Sequence, residues 1–537
     1  MSAQAWWRDA VIYQIYPRSF KDNNGDGIGD LPGVTSKLDY LAELGVDALW
    51  LSPFYRSPQA DAGYDVADYR DVDPLFGTLA DFDAMLEGAH ARGLKIIVDL
   101  VPNHTSDEHV WFKAALNADP ESPERDRYMF RTGKGEHAER PPNNWQSVFG
   151  GPAWTRVEGE DQWYLHLFDS KQPDLNWENP EVRAEFEDVL RFWLDRGVDG
   201  FRVDVAHGMI KAEGLPDFGQ SQCMIEGGNV GPMWDQDGVH EIYRAWRRVL
   251  DEYDGDRMMV AEAWVQPQER LARYVRPDEM QQAFNFDYLL ARWNADALKS
   301  VIDTSIMHSD SVGAVPTWVM SNHDGVRHSS RLGLSDPGRR PNGLTAHDEQ
   351  PDEALGLRRA RALIMLTLAL PGSAYVYQGE ELGLPDHTTM DAKYRQDPTF
   401  HRTNGEETGR DGCRVPLPWN ASQPAFGFGG EQTWLPQPEN YARYAVDAQL
   451  DQSDSTLALY RTLLAQRAEH ALGRGRIVWN ETGRSDVLSL TNGAITVVLN
   501  LSDRDVERPE GDVIVESIPG IGNGQVVPAN SAVWLGC

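Results

Sequence analysis

Three carboxylates stand out because each lies at the end of a short apolar run. Asp204 closes Phe201-Arg202-Val203-Asp204, Glu262 sits in Ala261-Glu262-Ala263-Trp264, and Asp324 closes Ser321-Asn322-His323-Asp324. A fourth run ends in Asp99-Leu100-Val101-Pro102-Asn103-His104. Glycoside hydrolysis needs this set: one carboxylate as nucleophile or base, and a second carboxyl that holds a proton near neutral pH. One Asp beside one Arg would suit a rim salt bridge. Three carboxylates with two histidines and an arginine favour chemistry.

The elements that must hold these residues follow from the apolar pattern. Strands are expected at residues 11–16, 48–52, 95–100, 200–204, 258–261, 282–285, 317–321 and 374–377, with amphipathic helices between them. Asn179-Pro180-Glu181 reads as cap, first-turn proline and first-turn acid of a helix running to Gly197. Further helices are expected at 240–253 and 352–370. Eight strands alternating with helices define a TIM (β/α)8 barrel, whose chemistry sits at the carboxyl ends of the strands.

Two connections are too long to be simple loops. Residues 105–173 are expected to form a small inserted domain after the third strand, and 379–446 an insertion after the eighth. The barrel would then comprise 1–104 and 174–460, followed by a C-terminal β-sandwich domain at 461–537 with strands at 487–491, 494–499 and 512–516.

Composition narrows the partners. The 537 residues carry a formal net charge of −33. Such a surface repels phosphate backbones, so no nucleic acid is expected, whereas a neutral sugar is indifferent to it. Three cysteines, Cys223, Cys413 and Cys537, are too few and too scattered for a disulfide framework. The polar start of the chain does not read as a signal peptide, and no run approaches a membrane span. A cytoplasmic enzyme, monomeric or a small homo-oligomer, is the expectation.

The strand-end motifs resemble the four signature regions of the alpha-amylase family of glycoside hydrolases. Gln172-Pro173-Asp174-Leu175-Asn176-Trp177 and the segment ending Gly409-Arg410-Asp411-Gly412-Cys413-Arg414-Val415-Pro416 resemble its oligo-1,6-glucosidase and alpha-glucosidase branch. The resemblance implies Asp204 as nucleophile, Glu262 as acid/base and Asp324 as the residue holding sugar hydroxyls. It implies that Arg202 keeps Asp204 ionised, that His104 and His323 bond the sugar, and that Asp99 supports them. Tyr64 would stack on the sugar. Asp65 would bind the terminal glucose with Arg410, for which Arg414 is the rival. Phe149 and Phe168 would line the same pocket, unless they are simply buried in the inserted domain. Val205, directly after the nucleophile, resembles the residue of enzymes that accept alpha-1,6 bonds.

Asp22-Asn23-Asn24-Gly25-Asp26-Gly27-Ile28-Gly29-Asp30 places oxygen donors at alternate positions, like the start of an EF-hand loop. Gly33 stands where the bidentate Glu would be, so an EF-hand domain is excluded. An Asx-turn loop without metal is the other reading. The resemblance implies a structural Ca²⁺ or Mg²⁺ held by Asp22, Asn24, Asp26, Asp30 and the Ile28 carbonyl, with no organic cofactor.

The expected activity is exo-acting, retaining hydrolysis of short alpha-glucosides, alpha-1,4 or alpha-1,6, with transglucosylation as a side reaction. Trehalose synthase, an isomerase with similar motifs, is the nearest alternative. A non-catalytic sugar-binding relative is the alternative from another class, and the three retained carboxylates argue against it.

Overall fold

The computed structural model describes residues 5–219, 230–338 and 341–536. Cys223 and Cys537 lie outside them. Eight parallel strands form one sheet: β1 (Val11–Ile15), β2 (Ala48–Leu51), β3 (Lys95–Leu100), β4 (Gly200–Val203), β5 (Met258–Ala261), β6 (Gln282–Ala283), β7 (Thr317–Val319) and β8 (Ser373–Tyr377). The hydrogen-bonded order is β6-β5-β4-β3-β2-β1-β8-β7. It is the TIM barrel anticipated from the sequence.

Period two along the strands divides the barrel into two cores. Ile12, Trp50, Ile97, Val260, Val319 and Tyr375 pack together inside it. Their neighbours Tyr13, Leu49, Leu51, Ile96, Val98, Met259 and Val376 pack outward against the helices. The same alternation carries upward from Ile97 to Asp99 and from Val260 to Glu262, and aims Arg202 and Asp204 of the β4 end the same way. The inward face that is apolar in mid-barrel thus becomes charged at its carboxyl end.

The strands β6 and β7 are shorter than expected, for a local reason. After β6, Asn285 caps the short helix Phe286–Leu289 by accepting from Tyr288 N, which turns the chain out of the sheet. After β7, Asn322 Oδ1 accepts from Asp324 N at 3.0 Å, a side-chain turn that ends the strand.

Asn179 caps the helix Pro180–Asp195 by accepting from Glu181 N, and Asp352 caps the helix Glu353–Ala369 through Leu355 N. The segment after β3 contains a three-stranded antiparallel sheet of Phe130–Thr132, Gln162–Leu165 and Trp154–Arg156. The expected boundary at residue 461 is corrected, because it falls inside the helix Thr456–Glu469. Arg467 of that helix donates to the carbonyls of Leu368 and Leu370 at 2.7 and 2.8 Å, so the helix belongs to the barrel's outer ring. The C-terminal unit follows. Its five-stranded antiparallel sheet includes two strands not anticipated, Ile477–Trp479 and Ser531–Gly536. Alternation on Ser531–Gly536 turns Ala532 and Trp534 toward the barrel core, and Val533 and Leu535 toward a small separate core with Val506 and Val527. Trp534 Nε1 donates to Met365 O at 2.9 Å, anchoring the sheet to the barrel.

Candidate active site

A cavity of about 490 Å³, its open mouth included, lies at the carboxyl end of the barrel. Asp204, Glu262 and Asp324 all line it, with Arg202, Tyr64, His104, His323, Val205, Phe149, Phe168 and Arg410. The structure therefore brings together every sugar-site residue picked from the sequence except Asp65.

Arg202 is the hub of one half. Nη1 contacts Asp204 Oδ1 and donates to Asp99 Oδ1 at 3.0 Å, while Nη2 lies 3.9 Å from Glu262 Oε2. Asp99 also accepts from Trp50 Nε1 at 3.2 Å and from the Tyr64 hydroxyl at 3.1 Å. Burial pushes Asp204 and Glu262 above the usual carboxylate range, with Arg202 opposing it in both. Burial likewise raises Asp99 to about 6 against the pull of Arg202.

Arg410 is the hub of the other half. It reaches Asp61 at 2.7 Å, Asp324 at 3.1 Å and Asp397 at 2.6 Å. It ties the loop after β2 to the loop after β8 across the pocket, with its guanidinium 5.0 Å from the centre of the Phe149 ring. Arg414 meets the same Asp324 oxygen at 3.2 Å and the His323 carbonyl at 2.8 Å. Burial works to raise Asp324, but His323, Arg410 and Arg414 outweigh it and hold that carboxyl below its ordinary range.

The pairing expected between Asp65 and Arg410 is corrected. Asp65 accepts from the backbone N–H groups of Ala60 and Asp61 at 2.8 and 2.9 Å, so its carboxylate shapes the loop. Asp61 is the acid that reaches Arg410, and it also accepts from Gln172 Nε2 at 3.2 Å. Burial raises Asp61 to about 6, with Arg410 opposing.

The histidines are neutral hydrogen-bonding groups. Burial lowers His104 to about 4, and His323 well below its ordinary value. Gln14 Nε2 lies 2.7 Å from His323 Nδ1. An amide nitrogen only donates, so Nδ1 accepts and Nε2 carries the proton, 3.3 Å from Asp324 Oδ2. The His323 ring lies parallel to Tyr64, at 5.3 Å and 6°. His104 packs on Phe168 at 5.1 Å between ring centres.

Val205 takes a left-handed backbone conformation, φ 45°, which a β-branched residue adopts only under constraint. Its N–H donates to Glu262 Oε2 at 2.7 Å. Gly208 makes room for it, since a Cβ there would lie 2.7 Å from Val205 Cγ1.

Sequence reasoning missed Asp61, Val148, His207 and Trp234 of the pocket lining. His207 and Trp234 stack at 4.9 Å, and both come from the long stretch after β4, where no periodicity marks them.

In the loop 22–30, Asp22 accepts from Gly25 N at 2.6 Å and Gly27 N at 2.9 Å. Asp26 accepts from Ile28 N at 2.9 Å, and Asp30 from Gly33 N at 2.6 Å. Among the described residues no three acidic, histidine or cysteine side chains converge as a metal cluster. The all-oxygen donor chemistry of Asp22, Asn24, Asp26, Asp30 and the Ile28 carbonyl suits a hard divalent cation. Each carboxylate has about four lone-pair sites, more than these bonds use.

The alpha-amylase catalytic-domain model matches residues 14–475. The chain belongs to the alpha-amylase family and is a glycoside hydrolase. It is 39% identical over 501 residues to an oligo-1,6-glucosidase of Parageobacillus thermoglucosidasius, covering 87% of this chain and 84% of that protein. It is 38% identical to an alpha-glucosidase of Pediococcus pentosaceus, covering 90% and 91% of the two. Among solved structures, an alpha-glucosyl transfer enzyme, XgtA, superposes with a TM-score of 0.84 at 35% identity, covering 99% of this chain and all of that one. No helix among the described residues is long and apolar enough to cross a membrane.

Proposed function

We propose that the protein is an exo-acting, retaining alpha-glucosidase that releases glucose from the non-reducing end of short alpha-glucosides. The observation that carries this reading is the convergence of Asp204, Glu262 and Asp324 in one pocket that the Arg410–Asp61 ion pair bridges on one side. A terminal glucose fits such a pocket, whereas the interior of a starch chain needs an open groove.

Asp204 attacks the anomeric carbon while Glu262 protonates the departing oxygen. The glucosyl–Asp204 ester is then opened by water, which gives its proton to Glu262. Asp99, Asp204 and Glu262 face the single cation Arg202, so in this buried setting they do not all ionise at neutral pH. Asp204 holds the direct contact to Arg202 and keeps its charge. Glu262 has the weaker contact and keeps the proton. Asp324, held ionised by two arginines, accepts from sugar hydroxyls and favours a distorted ring.

A structural Ca²⁺ or Mg²⁺ in the loop 22–30 is part of this reading. Asp22, Asp26 and Asp30 are not ion-paired to any Lys or Arg among the described residues, and a cation would offset their mutual repulsion. Its removal by chelator should lower Tm, and Asp26→Asn should abolish that chelator effect. An unchanged Tm would refute it.

Incubation with maltose tests the function. Glucose released first as the alpha anomer supports it. Trehalose as main product would make the enzyme an isomerase, and no turnover would make it a sugar-binding relative.

A further inference from the structure

Gln14 stands on β1 and points into the barrel, because Ile12, two residues earlier, packs in the inner core. It is buried and takes no part in the pocket lining, so a bound sugar does not touch it. It reaches the site through His323. Its Nε2 lies 2.7 Å from His323 Nδ1 and donates to Ser52 Oγ at 3.2 Å.

The His323 ring has two near-parallel aromatic neighbours, Tyr64 at 5.3 Å and 6° and Tyr16 at 5.7 Å and 23°. Stacking fixes the plane of the ring. It does not distinguish the ring from the same ring turned over, which would carry Nε2 away from Asp324. Nor does it place the proton. Hydrogen bonds decide both. Asp324 Oδ2 lies 3.3 Å from Nε2 and calls for a proton there. Nδ1 is then an acceptor, and the amide nitrogen of Gln14 supplies its donor. The two ends of the ring agree on one tautomer. Turning the Gln14 amide over would set its oxygen against the Nδ1 lone pair.

These two contacts are not equivalent during turnover. Asp324 faces the cavity, where sugar hydroxyls compete for its oxygens. Gln14 lies beneath, where substrate does not displace it. We propose that Gln14 is the positioning residue of His323, holding the ring neutral, one way round, with its proton on Nε2 and aimed at the sugar. The inference rests on the alpha-glucosidase reading and adds to it a residue that acts from below the pocket.

Gln14→Glu tests it. The new carboxyl serves Nδ1 only while the carboxyl–imidazole pair holds an extra proton, whichever partner carries it. Once that proton leaves, the remaining one moves to Nδ1, toward the new charge, and Nε2 becomes an acceptor facing Asp324. Asp324, Arg202, Arg410 and Arg414 supply the other charges around His323, and the substitution leaves them in place. The kcat/KM profile on an aryl alpha-glucoside should therefore fall at a lower pH than that of the wild type, since Gln14 does not titrate. Gln14→Met, of similar length and without a donor, covers the case in which the carboxyl variant does not fold. It should lower kcat/KM by roughly 2- to 12-fold. Most of that loss should disappear in a His323→Asn background. Equal losses in both backgrounds would make Gln14 merely structural and overturn the inference. A Gln14→Glu profile parallel to the wild type's would overturn it too. Either result leaves wild-type cleavage of maltose, and the alpha-glucosidase reading, standing. A wild-type enzyme that cleaves no alpha-glucoside would remove that reading, and this inference with it.

Discussion

The backbone N–H of Val205 donates to Glu262 Oε2 at 2.7 Å, so the residue that follows Asp204 orients the carboxyl of Glu262. Burial, the largest effect, raises Glu262 and favours its protonated form, while Arg202 and the hydrogen bonds from Val205 and Trp264 oppose it. The division of roles rests instead on Arg202, which touches Asp204 directly and lies 3.9 Å from Glu262, and it sets the expected pH dependence.

Activity needs Asp204 ionised and Glu262 protonated. Burial raises both, so the active window is displaced upward from the ordinary carboxylate range. Activity should fall as pH rises through the Glu262 value, and fall again as pH drops through that of Asp204. Glu262→Gln should lower maltose turnover by about 10²–10⁴-fold. It should also erase the basic limb of the kcat/KM profile on an activated aryl glucoside. A basic limb that persists in the variant would assign the proton to another group.

Asp61 and Asp65 should separate cleanly on substitution. Asp61→Asn removes the charge that meets Arg410 in the pocket and should cost about 1.5–3 kcal/mol in kcat/KM, roughly 10- to 150-fold. Asp65→Ala leaves two backbone donors of the loop without their acceptor and should show mainly as a lower Tm. Kinetics on folded protein beside thermal melts of both variants checks this. The reverse pattern would restore Asp65 to the sugar.

That pair also marks how far the sequence could be read. The barrel was legible because its strands are short apolar runs that end in polar residues, and Asp99, Arg202, Asp204 and Glu262 simply continue the inward alternation. Asp61 and Asp65 share one loop around Gly63-Tyr64, and spacing does not say which carboxylate the fold turns inward. Arg410 was within reach of sequence reasoning only through its motif, since it arrives from a loop over 300 residues from Asp61. Ser531–Gly536 was missed because a strand covered on both faces shows no alternation of apolar and polar residues.

Glu380 should make stability depend on pH. It is buried just after β8, accepting from Tyr377 N at 3.0 Å, and burial raises it to about 8 from an ordinary 4.5. A carboxyl raised on folding favours the fold while protonated. Its contribution is full below the unfolded value and is lost as pH climbs to the folded one, by up to about 1.4 kcal/mol per unit between them. Glu380→Gln keeps the acceptor and removes the titration. Melts from pH 5 to 8 should show the variant gaining on the wild type as pH rises. Parallel curves would mean that Glu380 does not titrate in the folded protein.

The last expectation concerns linkage. Val205 lines the pocket beside Asp204, and its strained backbone holds the side chain in place against Gly208. A β-branched side chain there narrows the space next to the reacting carbon. An alpha-1,6 bond carries an extra rotatable methylene, which lets the departing sugar swing clear of that constriction. An alpha-1,4 bond has no such freedom. Isomaltose should therefore be hydrolysed at a rate comparable to or above that of maltose. Val205→Thr keeps the branching but exchanges a methyl for a hydroxyl that can bond the substrate, and should shift the ratio toward maltose. One contact of this kind is worth about 1–3 kcal/mol, so the ratio should move by roughly 5- to 150-fold, not switch absolutely. Initial rates on the two disaccharides, for wild type and variant, decide it. A native enzyme that cleaves maltose well and ignores isomaltose would remove Val205 as the determinant while leaving the roles of Asp204 and Glu262 intact.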